Sequence, residues 1–377
     1  MKCPVCKTEC DNNTYCPECG FDQLNTVFVN KDDAATWIQS VVVPFREEYW
    51  IRKKSYFSIK DGVLEKYTGQ DITVEVPYGV TVIGESAFSS NELLERIILP
   101  PTVREIRREA FSCCENLVAA DLNEGLEIIR FSAFECCDLL SMTLPDSISH
   151  LDEGFCLGAA AISVKETNVH YEVIDECLID RRTGTLLHCW SDELKIYVPQ
   201  GVKRVGKWSF PLIENERRRV RLPEGVESIG FIGRGVYVLF IPSSVENIDD
   251  GALYEVTRLH ISSDNKRFYC QGCCIIDKQA NTIIAVENRA RLTYHIPETI
   301  SGIARYAFYG CKNLRKLVIP ASVNHVGYWA FALCDNLEGL YFEHEAAGST
   351  WDAWWNYSMK VKCYWKNEWH YEPTPNE

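Results

Sequence analysis

Residues 297–319 read PETISGIARYAFYGCKNLRKLVI, and residues 320–342 read PASVNHVGYWAFALCDNLEGLYF. Superposed, Pro297, Ile300, Ile303, Ala307, Phe308, Cys311, Leu314, Leu317 and Ile319 fall on Pro320, Val323, Val326, Ala330, Phe331, Cys334, Leu337, Leu340 and Phe342. A fixed period, here 23 residues, marks a stacked architecture whose unit is too small to bury its own apolar face. Leu314-x-x-Leu317-x-Ile319 alternates as a short strand does, with Leu317 and Ile319 inward and Lys316 and Val318 outward. Pro320 lacks the N–H that would continue a ladder, so the strand ends there. Val323 and Val326 recur at roughly helical spacing before Ala330-Phe331, which predicts a short helical turn on the opposite side of the coil.

The same unit extends upstream. Phe88, Phe111 and Phe134 recur at the 23-residue step, each preceded five residues earlier by Ile83, Ile106 or Ile129. Hairpin patterns, each an apolar pair, polar turn residues and a second apolar pair, interrupt the coils at about 56–76, 168–190 and 265–288. Phe57, Asp61, Val63 and Leu64 align with Tyr171, Asp175, Cys177 and Leu178, and the last two with Cys274 and Ile275. After the second hairpin the register loosens: Pro199, Pro223 and Pro242 head coils of unequal length, and Gly230–Gly235 replaces the Ala-Phe pair. That glycine-rich stretch predicts an irregular turn. It lacks the Lys-Ser/Thr of a phosphate-binding loop.

The pattern L-x-x-L-x-I/L-P-x-x-V-x-x-I-x-x-x-A-F-x-x-C resembles the BspA-like subclass of leucine-rich repeats over roughly residues 56–342. The resemblance implies an α/β repeat solenoid, right-handed, with parallel strands on its concave face and β-hairpin interruptions. It also implies a binding role rather than a catalytic one.

Composition agrees with a packed chain. Hydrophobic residues make up 46% of 377 and charged residues 24%, enough apolar material for a continuous core. The net charge of −14 argues against a surface that binds nucleic acid or anionic membrane indiscriminately. The sequence opens Met1-Lys2-Cys3-Pro4 without an apolar leader and contains no run of ~20 apolar residues, so a cytoplasmic location is expected.

Cys3-Pro4-Val5-Cys6 and Cys16-Pro17-Glu18-Cys19 have the spacing of two facing knuckles in a zinc ribbon spanning residues 1–22. Four thiolates close a tetrahedron around one structural Zn2+ and leave no position for a reacting water. Two disulfides are the competing reading, which a leaderless chain disfavours. Lys2 and Lys7 are offset by Glu9, Asp11 and Glu18, so the ribbon lacks the basic stripe that phosphate contact requires. A docking or purely structural role fits it better.

Residues 23–55 read as a connector and an amphipathic helix with Trp37, Val41, Phe45 and Tyr49 on one stripe. That stripe fits a lid over the first coil, or alternatively a partner-binding helix. Residues 343–377 leave the repeat and carry Trp351, Trp354, Trp355, Trp365 and Trp369. Such a cluster serves as a C-terminal cap or as an aromatic ligand platform.

No nucleophile–base motif appears, and the neighbouring acids Asp249 and Asp250 have no opposed partner. Cys114, Cys137, Cys311 and Cys334 each follow the repeat phenylalanine by three residues, where Asn91 stands in an earlier coil. A position that accepts Cys or Asn suits a small polar atom bonding a neighbouring turn's backbone. Cys270, Cys273 and Cys274 are the one other metal candidate, short of two ligands.

Strand alternation places Arg96, Lys195, Tyr197, Arg219, Arg221, Phe240, Arg258, His260, His295, Lys316 and Tyr341 on the outward face, with Asp121 as its one acid. Interleaved arginines and aromatics suit an acidic protein partner. The expected function is a non-catalytic interaction scaffold, the ribbon adding a second docking surface. The alternatives are a surface or adhesin-type recognition module, and a nucleic-acid-binding module.

Overall fold

The computed structural model describes residues 55–158, 160–211, 217–287, 293–355 and 361–369. The expected zinc ribbon and the expected helix carrying Trp37 fall outside the described residues. From residue 56 onward, every regular element among the described residues is a β-strand. The α/β expectation is therefore corrected to a parallel β-solenoid.

Most coils are built the same way. A strand of three or four residues forms one side, such as Lys316–Ile319. A proline turn follows, then a two-residue strand on the other side, such as His325–Val326. Val323 and Val326 are both fully buried, but Val326 lies in this short strand and pairs with Ile303 of the previous coil. Three-residue spacing fits a turn followed by a strand as well as a helix, and pairing to the neighbouring coil satisfies the backbone groups that a lone helical turn would leave open.

The longer strands form three parallel sheets of five, four and four strands among the described residues. The two-residue strands form a second series, and each run of that series begins at a hairpin. The second hairpin comprises Tyr171–Ile174, Cys177–Asp180 and Thr185–Cys189, and the third Phe268–Gln271, Cys274–Asp277 and Thr282–Val286. Among the described residues the first has Phe57–Lys60 and Val63–Tyr67. Its alignment is corrected by the ladder: Leu64 pairs with Ile83 as Leu186 pairs with Val205. Val63–Tyr67 thus corresponds to Thr185–Cys189, not to Cys177–Asp180.

The inner hairpin strands are buried on both faces, because alternate side chains enter different cores. Leu178 and Leu187 join the core that begins at Leu64, whereas Cys177, Ile179, Leu186 and Cys189 join the next. Ile275 and Ala285 close that second core, and Cys274, Ile276 and Ile283 open the third. The hairpins are partitions between three blocks of coils.

Within a block, the repeat aromatics form the axis of the core. Tyr67, Phe88, Phe111 and Phe134 stack with centroids 5.2, 5.0 and 5.2 Å apart. The cysteine three residues after Phe111, Phe134 and Phe331 donates to the phenylalanine carbonyl one coil earlier: Cys114 to Phe88 at 3.2 Å, Cys137 to Phe111 at 3.2 Å and Cys334 to Phe308 at 2.9 Å. The ladder runs past residue 342, since Lys362–Tyr364 pairs with Gly339–Phe342. There Phe342 is met by Trp351 at 5.5 Å, Trp355 at 5.7 Å and Trp365 at 4.5 Å.

Candidate binding face

The middle sheet joins Lys195–Tyr197, Arg219–Arg221, Val238–Ile241 and Arg258–Ile261 in parallel register. Ile196, Val220, Leu239 and Leu259 align along it and point into the core, all buried. Period-two alternation then fixes two outward rows. One row is Lys195, Arg219, Val238 and Arg258; the other is Tyr197, Arg221, Phe240 and His260.

The first row borders a cavity of about 420 Å³ lined by Leu194, Lys195, Arg217, Arg219, Tyr237 and Arg258. Its four cations face no carboxylate within ion-pair distance among the described residues. Arg217 is held over the Tyr237 ring, 5.4 Å from its centroid. The second row borders an adjoining cavity of about 490 Å³. Here Arg221 lies 4.6 Å from the Phe240 centroid, and Phe240 stacks on His260 at 4.8 Å. Tyr197 is 64% exposed. Glu224 also lines this cavity, and the Ser243 backbone N–H that it accepts holds its carboxyl below the usual range.

The other two sheets differ. In the first, Arg96 is neutralised by Asp121 at 2.6 Å, and Glu75 adds a second outward acid that the sequence reading missed. In the third, Lys316 lies between Thr293 and Gly339, while His295, Val318, Tyr341 and Tyr364 make a mainly aromatic row. Tyr341 and Tyr364 stack at 4.8 Å. The expected basic face is therefore gathered on the middle sheet rather than spread along the chain. Arg217 and Tyr237 were missed because each precedes its strand, where alternation assigns no face. The triplet Arg217-Arg218-Arg219 was the available signal.

Arg218 points the other way and is fully buried, donating to the carbonyls of Gly235 at 2.7 Å, Ser191 at 3.0 Å and Pro211. A Cβ on Gly235 would overlap this guanidinium, and one on Gly233, at φ +91°, would meet the Phe210 carbonyl at 2.6 Å. The glycine-rich stretch is thus an irregular coil shaped around a buried arginine.

Among the described residues no group of three His, Cys, Asp or Glu side chains could hold a metal ion, Cys270, Cys273 and Cys274 included. Burial pushes the Cys114 and Cys156 thiols up to about 11 and 12, so both are protonated at neutral pH. No helix among the described residues is long and apolar enough to cross a membrane.

A family model described as the BspA type leucine rich repeat region matches in six copies over residues 54–175 and 287–353, half of the chain. The chain belongs to the BspA-type leucine-rich repeat family. The middle block, which carries the basic face, falls between the two matched stretches of this BspA-type chain, where the coils depart most from the repeat.

Among solved structures, a leucine-rich cell surface protein from Faecalibacterium prausnitzii is 18% identical, with 76% of this chain and 92% of that chain covered and a TM-score of 0.39. A leucine-rich repeat protein from Bacteroides ovatus is 15% identical, with 82% and 97% covered and a TM-score of 0.31. The pneumococcal vaccine antigen PcpA is 16% identical, with 75% and 69% covered and a TM-score of 0.33. No curated protein matches the chain.

Proposed function

We propose that this chain is a non-catalytic interaction scaffold whose middle sheet captures an acidic protein partner. The observation that carries the reading is the cavity shared by Lys195, Arg217, Arg219 and Arg258, with no facing carboxylate among the described residues. In a chain of net charge −14, grouping four like charges at one place is unfavourable unless an anion relieves them. Arginine's planar fork suits carboxylates, and the adjoining Tyr197, Phe240 and His260 supply flat contact area beside it.

A structural Zn2+ held by Cys3, Cys6, Cys16 and Cys19 completes the proposal, with the ribbon as a second docking surface and the cytoplasm as the location. Metal analysis of the purified full chain tests the zinc, with about one ion per chain expected. Affinity capture under zinc-retaining, reducing conditions tests the face. Arg219→Glu/Arg221→Glu is expected to lose the partner, whereas equal recovery of every captured protein would refute the groove. Nucleic acid as the partner would instead show as a steep salt slope with competition by polynucleotide.

A further inference from the structure

A third cavity, of about 540 Å³, opens on the side of the coils that follows the two-residue strands. Trp208, Phe231, Tyr254, Tyr306, Tyr309 and Trp329 supply its walls, with Lys207, Asp249 and Asp250 at its rim. It straddles the seam between the middle and third blocks, where the ladder ending at Asn247–Ile248 gives way to the one containing Gly302–Ile303. Seams of this kind, and volumes of 300–1,000 Å³, are where small ligands lodge.

The fold does not ask for these rings. Trp208, Tyr306 and Trp329 occupy the repeat position held by Ser86, Glu109 and Ser132 in the first block, and all six have positive φ, between 54° and 62°. Tyr254 and Tyr309 likewise stand where the first block has Ser89, Ser112 and Glu135. The same turn closes with a serine or a glutamate. A bulky residue at positive φ is unfavourable, yet three occur here and each lines the cavity.

Their mutual arrangement makes walls. Trp208 meets Phe231 at 69° and 4.1 Å, Tyr254 meets Tyr309 at 60° and 4.6 Å, and Tyr306 meets Trp329 at 79° and 6.1 Å. The charge around them leans acidic. Arg204 is divided between Glu153 and Asp249, and Arg305 between Asp250 and Asp352, so neither aspartate has an arginine to itself. Burial and then Glu255 push the Tyr254 hydroxyl up to about 12. Aromatic walls with carboxylates at the rim attract an organic cation whose charge is spread over methyl groups.

We infer that this cavity is a binding site for a methylated ammonium group. Saturation-transfer NMR on the full chain, at one ionic strength, compares tetramethylammonium with tert-butanol, which is similar in size and uncharged. Tetramethylammonium is expected to bind at least about tenfold more tightly. Trp329→Ser and Tyr306→Ser, which restore the first-block residue, are expected to abolish binding while the circular dichroism stays unchanged. Asp250→Asn, at an exposed rim position, should weaken it about three- to tenfold, and keeps the test valid if a serine variant misfolds. A peptide carrying trimethyllysine that binds more tightly than the free ion assigns the group to a protein side chain; equal affinity assigns it to a small molecule. Equal affinity for tert-butanol, or binding that survives in folded Trp329→Ser, would overturn the assignment.

Discussion

Arg221 extends over Phe240 of the next coil, its guanidinium carbon 4.6 Å from the ring centroid. The two belong to adjacent strands in direct register, and His260 continues the stack one coil further. The contact holds the charge of a long side chain at a fixed height above the sheet, so less rotamer freedom is lost when an anion binds.

Phe240→Ala should therefore weaken capture of an acidic peptide about three- to fivefold while changing folding stability by no more than about 1 kcal/mol, the range of an exposed cation–π contact. Fluorescence anisotropy of a labelled glutamate-rich peptide, alongside urea unfolding, reads both quantities. Unchanged affinity would mean that Arg221 acts without its platform.

The stacked phenylalanines carry the opposite expectation. Phe111 is fully buried between Phe88 and Phe134, and Phe111→Ala should cost about 3–5 kcal/mol. Urea unfolding followed by circular dichroism measures this. A loss below about 1 kcal/mol would show that neighbouring coils collapse into the space, which contradicts a packed axis.

His188 gives a pH dependence. It is fully buried, its Nε2 lies 3.2 Å from the Ala160 carbonyl, and burial pushes its pKa down to about 4. The folded value lies below the unfolded one, so between about pH 6.5 and 4 the unfolded chain binds the extra proton. Stability is present above that window and is lost as pH falls through it, by roughly 3 kcal/mol in total. Between pH 7 and 4.5 the wild type should lose roughly 2–3 kcal/mol more than His188→Gln. Parallel losses would place the acid sensitivity elsewhere.

The repeat was legible because its signals are local and strong: Ala307-Phe308 and Cys311 return as Ala330-Phe331 and Cys334, and their burial requires a neighbour above and below. The thiol-to-backbone bond was legible for the same reason, since Asn91 and the cysteines share one position. The helical turn was misread because Val323 and Val326 have a spacing that two structures satisfy. Outward faces followed from alternation within strands, which located Lys195, Arg219, Arg221 and Arg258 but gave no means of seeing that they converge in space while Arg96 pairs with Asp121. Arg217 escaped because it stands before its strand, and Glu75 because its three-residue strand, Thr73–Glu75, lies within the stretch of about 56–76 expected to be hairpin. The aromatic cavity was invisible: Trp208 and Trp329 lie five coils and a hairpin apart in sequence, and only stacking brings them to one wall.

The middle-sheet cations, unpaired with any carboxylate among the described residues, are proposed to bind an acidic partner. Anisotropy of one labelled glutamate-rich peptide, measured against Lys195→Glu/Arg258→Glu and against Arg96→Glu, tests it most directly. At least about a tenfold loss is expected for the middle-sheet pair, whose charges face no carboxylate among the described residues, and little change at Arg96, which Asp121 already neutralises. Equal losses from both, or none from the middle-sheet pair, would contradict it.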